Sequence, residues 1–535
     1  MPAEPLKIVL IRPPYRTGSY DPELQECLGI EMLAAVLRRA GYKVKLIDAL
    51  LQNLNVDGIV RAAAEFQPDV VGFSLMSAGS LESTAAIAAG LQASLPTGVL
   101  MIAGGQLLTM DPQSLRACQP LQLALRGEGE WVLIDLLRRH QNGKSLSDLP
   151  GLVRLTTDQQ LISNQSEPPL MPLDSLPFAA RDFAEVLRRS GLPANVQGSR
   201  GCSGRCSFCA TPIEYCTTTP SWRGRSPQNL VEEIVQLQRD FGFSIFNFVD
   251  DDFLGSMPLG WQRVEVFADE ILRRNLKVAY GFQCRVMLAK PALLAKLYRS
   301  GLRYVFLGVE SATPAVLRRF RKPTLPARAL YAIAAWRNTG IVVEIGMIPF
   351  HPWTTFATLK ADYEFLQQAG CLNLRTATNR LLIFPGTPIA DELLDSGVTE
   401  VGPDGSMNWQ FNSTPVAEFY QRLLWLLQPV QPVWTLAATA LPSLLLTAAV
   451  AEEQVAQRAL GKVQMVYNVL NKWVAKTAFA CLDSCQKQLP GNDVVGLRTE
   501  AKKLAWLQIQ ELSHVSFGRL TTATIAEVAE IIEKM

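Results

Sequence analysis

The arrangement of short apolar runs constrains the fold of this chain more than any other feature. Runs of strand length, separated by stretches of helical length, recur near the N-terminus: Lys7–Arg12, Lys43–Asp48, Asp69–Ser74 and Val99–Ala103. Apolar, β-branched runs that alternate with helices indicate a parallel sheet covered on both faces. The sequence therefore predicts an α/β domain of Rossmann-like type over residues 1–145, with ligands bound at the carboxyl ends of its strands.

A second alternating region lies further along the chain. Residues 146–195 are rich in proline and turn residues and are predicted to be a linker with little regular structure. Strands of the next domain, 196–395, are predicted near Val196, Phe246, Tyr280, Val305, Glu344 and Thr376. Six such units favour an open parallel barrel, a partial (β/α)6 TIM-type barrel, over a flat sheet, although their spacing does not decide between the two. Residues from about 415 to the end have helical periodicity, and 396–535 are predicted to form an α-helical domain.

Composition narrows the partners and the compartment. The 535 residues include 51 Lys and Arg against 49 Asp and Glu, a net charge of +2, so no basic surface for nucleic acid is expected. The N-terminus lacks the basic start and apolar stretch of a signal peptide. We therefore expect a cytoplasmic, reducing location, in which the ten cysteines are thiols or metal ligands rather than disulfides.

One long segment, 423–451, contains no charged residue and is long enough to span a bilayer. Pro429, Pro432 and Pro442 interrupt it, and no cluster of Lys or Arg flanks it. A buried helical hairpin or a surface with peripheral membrane contact is therefore favoured over a true span.

The strongest chemical motif is the loop CSGRCSFC, in which Cys202, Cys206 and Cys209 form a CxxxCxxC pattern. Three thiolates at this spacing can hold three irons of a [4Fe–4S] cluster and leave the fourth open to a ligand. The alternative is a zinc site, which requires a fourth ligand, and Cys216 is the only nearby candidate.

This loop, with an aromatic residue before its last cysteine, resembles the signature of the radical S-adenosylmethionine (SAM) enzymes. The runs FNFVDDDF at 246–253, FQCRV at 282–286 and GVES at 308–311 follow in the order that the family shows. The resemblance implies that the three cysteines bind the cluster and that SAM binds its open iron. It implies SAM contacts by Phe208, Asp250, Asp251, Arg285, Glu310 and Ser311. If they do not contact SAM, Asp250 and Asp251 would form a turn or a helix cap. Arg285 and Glu310 would then form an ion pair with each other.

Upstream, PPY at 13–15, PDVVGFS at 68–74, GG at 104–105 and RGEGE at 126–130 resemble the cobalamin-binding domain found in one branch of that family. The cobalamin contacts implied are Pro14, Ser74, Leu75, Gly104, Gly105 and Glu128. Related domains carry a histidine that binds cobalt from below, and Leu50 stands at that position. The resemblance therefore implies cobalamin without a protein imidazole ligand, with Leu75 and Met76 as candidates to cover its lower face, unless that pair is plain core.

The resemblance implies a cobalamin-dependent radical SAM methyltransferase that moves a methyl group from methylcobalamin to an unactivated carbon of a small-molecule or natural-product substrate. It also implies a flavodoxin- or ferredoxin-type electron donor. Two alternatives stay open: an enzyme with the same cofactors that cyclises or rearranges its substrate, and a non-catalytic cobalamin or iron–sulfur binding protein. No catalytic side chain is assigned. Cys481 and Cys485 are not expected to hold a second cluster, and His351 and Trp353 are candidates to shape a substrate pocket.

Overall fold

The computed structural model describes residues 4–15, 26–164, 172–214, 222–287, 290–402, 407–451, 454–487, 495–515 and 520–534. Its contacts divide the chain into two units. The first unit comprises Met1–Val186, Ser199–Asn229 and Ile383–Asn408, and the second comprises Leu187–Gly198, Leu230–Leu382 and Trp409–Met535.

The N-terminal part of the first unit alternates strands and helices, as predicted. Its elements are β1 (Lys7–Arg12), α1 (Leu28–Arg39), β2 (Lys43–Asp48), α2 (Val56–Phe66), β3 (Val70–Ser74), α3 (Leu81–Ser94), β4 (Leu100–Gly104), α4 (Gln106–Met110), β5 (Leu123–Leu125), α5 (Gly129–Gln141), β6 (Leu152–Leu155) and β7 (Leu161–Ser163). Among the described residues the sheet order is β2-β1-β3-β4-β5-β6-β7. The pairs from β2 to β5 are parallel. This is a doubly wound order whose switch point lies between β1 and β3.

The core of this sheet is built from the apolar runs that predicted it. Val9, Ile11, Val71 and Phe73 are buried in one cluster with residues of α2 and α3. Helices α1 and α5 pack on each other, and so do α2 and α3, so the sheet is covered on both faces.

The segment 146–195 contains more regular structure than the predicted linker. Strands β6 and β7 lie in it and extend the sheet by antiparallel pairing. Leu152 and Val153 are completely buried, so β6 belongs to the core of the first unit rather than to a connection. The bounds of the domains themselves stay a prediction.

The middle of the chain contains the elements α6 (Ala184–Arg189), β8 (Ala194–Val196), β9 (Ser199–Gly201), α7 (Thr211–Glu214), β10 (Trp222–Gly224), α8 (Pro227–Phe241), β11 (Ile245–Phe248), α9 (Leu259–Arg273), β12 (Ala279–Arg285), α10 (Pro291–Arg299), β13 (Leu302–Glu310), α11 (Pro314–Arg319), α12 (Pro326–Asn338), β14 (Val342–Met347), α13 (Phe356–Gln368) and α14 (Leu374–Thr378). In the described part of the second unit, β8 and β11 to β14 form a parallel sheet in the order β14-β13-β12-β11-β8. Five of the six predicted barrel strands are therefore confirmed.

The sixth predicted strand, near Thr376, is wrong because that residue lies in helix α14. Asn373 caps the helix, its Oδ1 accepting from the Thr376 amide at 3.0 Å, while the Thr376 hydroxyl accepts from the Asn373 amide at 3.0 Å. This reciprocal cap stabilises a helix start and outweighs the β-branched threonines. A single parallel bridge, between Phe350 and Arg380, follows β14.

The barrel strands have distinct outer and inner faces. Phe248, Tyr280 and Phe282 point outward and pack with Phe267 of α9 in an aromatic cluster. The opposite face of these strands also carries polar side chains. Asn247 donates to Asn195 at 3.2 Å, and Tyr304 donates to Glu344 at 3.0 Å.

The last elements are α15 (Pro388–Asp395), β15 (Thr399–Val401), β16 (Met407–Trp409), α16 (Thr414–Leu427), α17 (Gln431–Val450), α18 (Gln454–Gln486), α19 (Val495–Leu512) and α20 (Thr522–Lys534). The helical C-terminal region is confirmed from α16 onward. Residues 396–413, also predicted to be helical, instead contain the strand pair β15–β16.

The uncharged segment 423–451 runs from the end of α16 through α17, and α17 packs against the barrel sheet. It contacts β11, β12 and β13, and Leu446 is buried against Ile245 and Ala279. Of the described helices, only α17 is long and apolar enough to cross a membrane, and half of its most apolar window is buried within the protein.

Candidate functional site

The cysteine loop lies in the first unit, between the paired strands β9 and β10. Cys202, Cys206 and Cys209 are all half-buried and form no disulfide. The backbone holds the loop tightly, since the Cys209 amide donates to the Cys206 carbonyl at 3.2 Å. The Gly204 amide donates to the Cys202 Sγ at 3.3 Å.

The donor set of this loop fits an iron–sulfur cluster in type and number, since three accessible thiols lie within eight residues. In the described residues, no group of three or more His, Cys, Asp or Glu side chains is close enough together to hold a metal ion. Cluster binding therefore requires the three thiols to turn toward a common centre. The competing zinc ligand, Cys216, lies outside the described residues.

A buried ion network joins the start of this loop to the RGEGE segment. Arg200 in β9 pairs with Glu128 at 2.7 Å and also with Glu130, and Arg223 in β10 pairs with Glu128. Burial alone would raise the pKa of Glu130, but the Arg200 guanidinium outweighs it and lowers that pKa. Glu128, which the resemblance implies as a cobalamin contact, is thus held by two arginines of the cysteine hairpin.

The strand ends of the sheet place the other implied cobalamin contacts near the switch point. Pro14 follows β1, and its carbonyl accepts a hydrogen bond from the Ser83 hydroxyl. Ser74 ends β3. Leu75 is completely buried in the core, so its side chain is not available to a ligand, whereas its neighbour Met76 is 45% exposed.

Gly104 is the last residue of β4 and Gly105 follows it, and the local backbone packing requires a glycine at position 105. Gly105 has a φ of +99°, and a Cβ there would lie 2.6 Å from the Leu75 carbonyl oxygen. The close approach that these glycines permit is therefore to the backbone of the neighbouring strand end. At the end of β2, Asp48 pairs with Arg12 at 3.1 Å and accepts a hydrogen bond from the Leu50 amide at 3.0 Å. These contacts hold the turn at which the resemblance places the histidine of related domains.

In the second unit, the end of β13 is a strained turn. Glu310 has a φ of +77°, which a non-glycine residue rarely adopts. Its carboxylate pairs with Lys322 at 3.0 Å, with both side chains nearly buried. The completely buried Ser311 donates to Asp362 of α13 at 2.9 Å, and the Ala312 amide donates to the same oxygen at 2.6 Å.

The acidic run after β11 is largely built into the barrel. Asp250 is buried, and its Oδ2 accepts from the Gly198 amide at 2.9 Å. Asp252 is completely buried at the end of β12, where the Arg285 amide lies 3.5 Å from its Oδ1. Burial raises the pKa of Asp252, and Arg285 partly offsets this rise. Asp251 and Arg285 are half-buried, as is Phe208 in the first unit.

His351 and Trp353 lie in the loop after β14. His351 is buried, its ring packs between Phe320 and Trp353, and neither ring nitrogen has a hydrogen-bond partner in the described residues. Burial lowers the pKa of His351 to about 4, so the ring is neutral near pH 7. In α18, burial raises the pKa of the Cys481 thiol, which makes it a poor metal ligand.

Three residues of these sites were missed by the sequence analysis: Lys322, Asp362 and Arg200. Each is the partner of a residue in a recognised motif that lies far from it in sequence. Lys322 is 12 positions from Glu310, and Asp362 is 51 positions from Ser311. Arg200 is 72 positions from Glu128 and 70 from Glu130. No local spacing signals such partners. The basic run RRFRK at 318–322 was the only available hint, for Lys322.

Comparison with known proteins gives two family matches. Residues 25–137 match the B12 binding domain and residues 196–366 match the Radical SAM superfamily. The chain is 26% identical to an uncharacterised methyltransferase of Pyrococcus horikoshii, over 68% of this chain and 78% of the relative. It is also 26% identical to the anaerobic magnesium-protoporphyrin IX monomethyl ester cyclase of Rubrivivax gelatinosus, over 67% of this chain and 65% of that protein, slightly less than two thirds of its length.

The fold is similar to that of the cobalamin-dependent SAM radical enzyme OxsB solved with aqua-cobalamin and SAM. The TM-score is 0.75 at 16% identity, covering 99% of this chain and 84% of that chain. The two domain matches, the second of which contains the thiol loop, define a cobalamin-binding radical SAM enzyme. Its cofactors are accordingly cobalamin, SAM and a [4Fe–4S] cluster. The chain therefore combines a B12 binding domain with a domain of the Radical SAM superfamily, and it is similar both to a methyltransferase and to a cyclase.

Proposed function

We propose that this protein transfers a methyl group from SAM, by way of cobalamin, to an unactivated carbon of a small-molecule substrate. The observation that carries the proposal is the buried network of Arg200, Glu128 and Glu130 in the first unit. It ties the hairpin that presents the three thiols to the RGEGE segment of the sheet that matches the B12 binding domain. The similarity to the Pyrococcus methyltransferase supports the same reading.

When bound, the cluster and cobalamin supply the electron transfer and the methyl carrier, and the protein supplies position, charge and exclusion of water. Cys202, Cys206 and Cys209 would hold the cluster. Glu310, held against Lys322, presents a carboxylate acceptor for the hydroxyls of the SAM ribose.

Other residues have separate roles in this proposal. Arg285 offers a cation for the SAM carboxylate, and the half-buried Phe208 would pack near the adenine. Asp251, Pro14 and Ser74 lie at strand ends where cofactor groups would bind. The buried side chains of Asp250, Ser311 and Leu75, together with Glu128, Gly104 and Gly105, would act by fixing the backbone around the cofactors.

The test is anaerobic incubation of the reconstituted protein with SAM labelled in its methyl group, cobalamin, a reductant and candidate substrates. Label in the product, together with release of 5′-deoxyadenosine, is expected. Unlabelled product together with 5′-deoxyadenosine would show that the protein cyclises or rearranges its substrate instead of methylating it. This is the second candidate function, and the similarity to the Rubrivivax cyclase supports it. If wild-type protein with a full cluster releases no 5′-deoxyadenosine, the result would favour a non-catalytic cobalamin or iron–sulfur binding protein.

The proposal also includes partners and a compartment. An electron for SAM cleavage has to come from outside the chain, so a flavodoxin- or ferredoxin-type donor in the cytoplasm is part of it. Its test is replacement of the chemical reductant by reduced flavodoxin, with 5′-deoxyadenosine measured in both reactions. Peripheral contact with a membrane is a further part of the proposal.

A further inference from the structure

A cavity of about 530 Å³ opens in the second unit beside the carboxyl ends of β12 and β13. Val286 and Met287 follow β12 directly, while Pro314 and Leu317 belong to α11 after β13. The volume lies within the range of small-molecule sites. The carboxyl ends of barrel strands are also where enzymes of this architecture place their active sites.

The floor and the rim of the cavity differ in character. Leu317, Ala329 and Ala332 are buried and form an apolar floor. On the rim, Met257 and Leu325 are 55% and 54% exposed. Exposed apolar groups around a concave surface are typical of a site that an apolar body covers.

The charge of the cavity has one sign. Among the described residues that line it there is no Asp or Glu, and there are three cationic side chains, Arg318, Lys322 and Arg328. This reflects the local sequence, because residues 311–343 contain six Lys or Arg and no acidic residue, in a chain whose net charge is only +2. The cavity therefore has a positive potential that the chain as a whole lacks.

Only one of the three cations is neutralised by a described neighbour. Lys322 is paired with Glu310 at 3.0 Å. Arg318 and Arg328 are exposed and form no ion pair or hydrogen bond with any side chain of the described residues. Their guanidinium groups are therefore available to an anion, and a guanidinium binds carboxylate or phosphate by paired hydrogen bonds.

Lys322 also connects this cavity to the proposed SAM site. It forms part of the cavity wall and holds the Glu310 carboxylate at the strained end of β13. A molecule in the cavity would thus lie beside the residues that the proposed function assigns to SAM.

We propose that this cavity binds the substrate, and that the substrate is an amphiphilic anion with a carboxylate or phosphate group on an apolar body. Arg318 and Arg328 bind the anionic group, while Leu317, Ala329 and Ala332 receive the apolar body. The identification of the bound molecule as the substrate rests on the proposed function, whereas the binding chemistry does not.

The first experiment measures binding of two fluorescent probes to the reconstituted full-length protein. One is 1-anilinonaphthalene-8-sulfonate, and the other is N-phenyl-1-naphthylamine, which has the same aromatic body without the anion. The double variant Arg318→Gln/Arg328→Gln should weaken sulfonate binding at least tenfold, by the usual strength of charge-assisted hydrogen bonds. Binding of the uncharged probe should stay unchanged.

Arg321→Gln is the matched control, since Arg321 is exposed in the same basic run but does not line the cavity. Its sulfonate affinity should equal that of the wild type. An equal loss in Arg321→Gln, or no loss in the double variant, would overturn the proposal, because the probe would then report general surface charge or another site.

The second experiment identifies the anionic group by displacing the bound sulfonate probe with decanoate, decyl phosphate or decanol. Decanoate or decyl phosphate should displace it at concentrations at least tenfold lower than decanol. The compound that displaces the probe at the lower concentration identifies the preferred anionic group. Equal displacement by decanol would overturn the anionic part of the proposal.

Failure of this inference can be told apart from failure of the proposed function. A protein that releases 5′-deoxyadenosine from SAM but shows no arginine-dependent binding would retain its function and lose this site. A protein with arginine-dependent binding and no SAM cleavage would retain the anion site and lose the proposed function.

Discussion

The three thiols of the loop at 202–209 can be removed singly. Cys206 is half-buried and forms no disulfide, so Cys206→Ala should leave the fold intact while removing one of three iron ligands. We expect reconstituted wild-type protein to bind about four irons per chain, by the stoichiometry of a [4Fe–4S] cluster, and the variant to lose most of this iron and all SAM cleavage. Iron analysis and the visible spectrum are the measurements. Cys485→Ala, half-buried in α18, is the control, and full iron retention in Cys206→Ala would refute the assignment.

A second prediction is based on Leu50, which the resemblance places where related domains carry their cobalt-binding histidine. Asp48 accepts a hydrogen bond from the Leu50 amide at 3.0 Å. A leucine side chain has no donor atom for cobalt. Bound cob(II)alamin should therefore give an electron paramagnetic resonance spectrum without splitting from an axial nitrogen. A nitrogen triplet would show that dimethylbenzimidazole or a histidine has become the ligand. Leu50→His serves as the comparison in which a triplet can appear.

Sequence reasoning found the residues with unusual chemistry but not the partners that hold them. The cysteine spacing and GVES could be recognised because each is local. Lys322, Asp362 and Arg200 could not, because folding brings each of them to its partner across a long stretch of chain. Burial was equally unreadable, as the loop residue His351 and the strand-end residue Leu75 are both buried.

At the scale of elements, helix α13 holds the strained end of β13. Asp362 accepts from both the Ser311 hydroxyl and the Ala312 amide, and Glu310 next to them has a φ of +77°. Such a backbone conformation costs about 1–3 kcal/mol and needs support from its surroundings. Asp362→Ala removes that support, so SAM should bind about tenfold more weakly by equilibrium dialysis with reconstituted protein. Asp362→Asn keeps an acceptor oxygen and should largely restore binding.

Tyr363→Phe controls for general damage to α13, because the Tyr363 hydroxyl donates to the Ala377 carbonyl at 2.8 Å rather than to the loop. Unchanged SAM affinity is expected there. Equal losses in Tyr363→Phe and Asp362→Ala would show that the helix, not the Asp362 carboxylate, is responsible.

The same carboxylate makes stability depend on pH. Burial raises the pKa of Asp362 from 3.8 to about 7, although the hydrogen bonds from Ala312 and Ser311 oppose the rise. Tyr363 is also uncharged in this range, since burial raises its pKa. Between pH 4 and 7 the folded state thus holds a proton that the unfolded state has lost, so this contribution to stability falls as pH increases through that range. The melting temperature of Asp362→Asn minus that of the wild type should rise from pH 5 to pH 7 and then level off. A pH-independent difference would contradict the prediction.

Elements were predicted well where periodicity was strong and poorly where a cap decided the outcome. The five barrel strands, β8 and β11 to β14, were predicted from apolar runs. Their outer faces are buried, which is why these runs are apolar. The region of α14 has similar composition, yet Asn373 starts a helix there. Strands β6 and β7 were missed because they are short and lie among turn residues.

At the scale of the whole molecule, the alternation of elements predicted an α/β unit, a parallel barrel and a helical C-terminal region, and the family matches agree with that order. The two compact units could not be foreseen. The cysteine hairpin and residues 383–408 belong with the first unit, although parts of the second unit precede and follow each of them in sequence. Long-range ion pairs such as that of Arg200 with Glu130 connect the hairpin to the rest of the first unit, and no local pattern encodes them.

The last prediction concerns how the protein associates with membranes. Helix α17 is long and apolar enough to span a bilayer, but half of its most apolar window is buried and Leu446 packs against the barrel strands. Insertion into lipid would expose those barrel contacts, and Pro442 within the helix would leave a backbone carbonyl unsatisfied there. We therefore expect cell fractionation to place the protein in the supernatant, or in a membrane fraction that high salt or carbonate releases. Any peripheral attachment should depend on the exposed apolar side chains of α16, so Trp425→Gln, at a residue 42% exposed, should lower the bound fraction. Recovery only with detergent, unaffected by Trp425→Gln, would contradict this and would mean that α17 leaves the barrel to enter the bilayer.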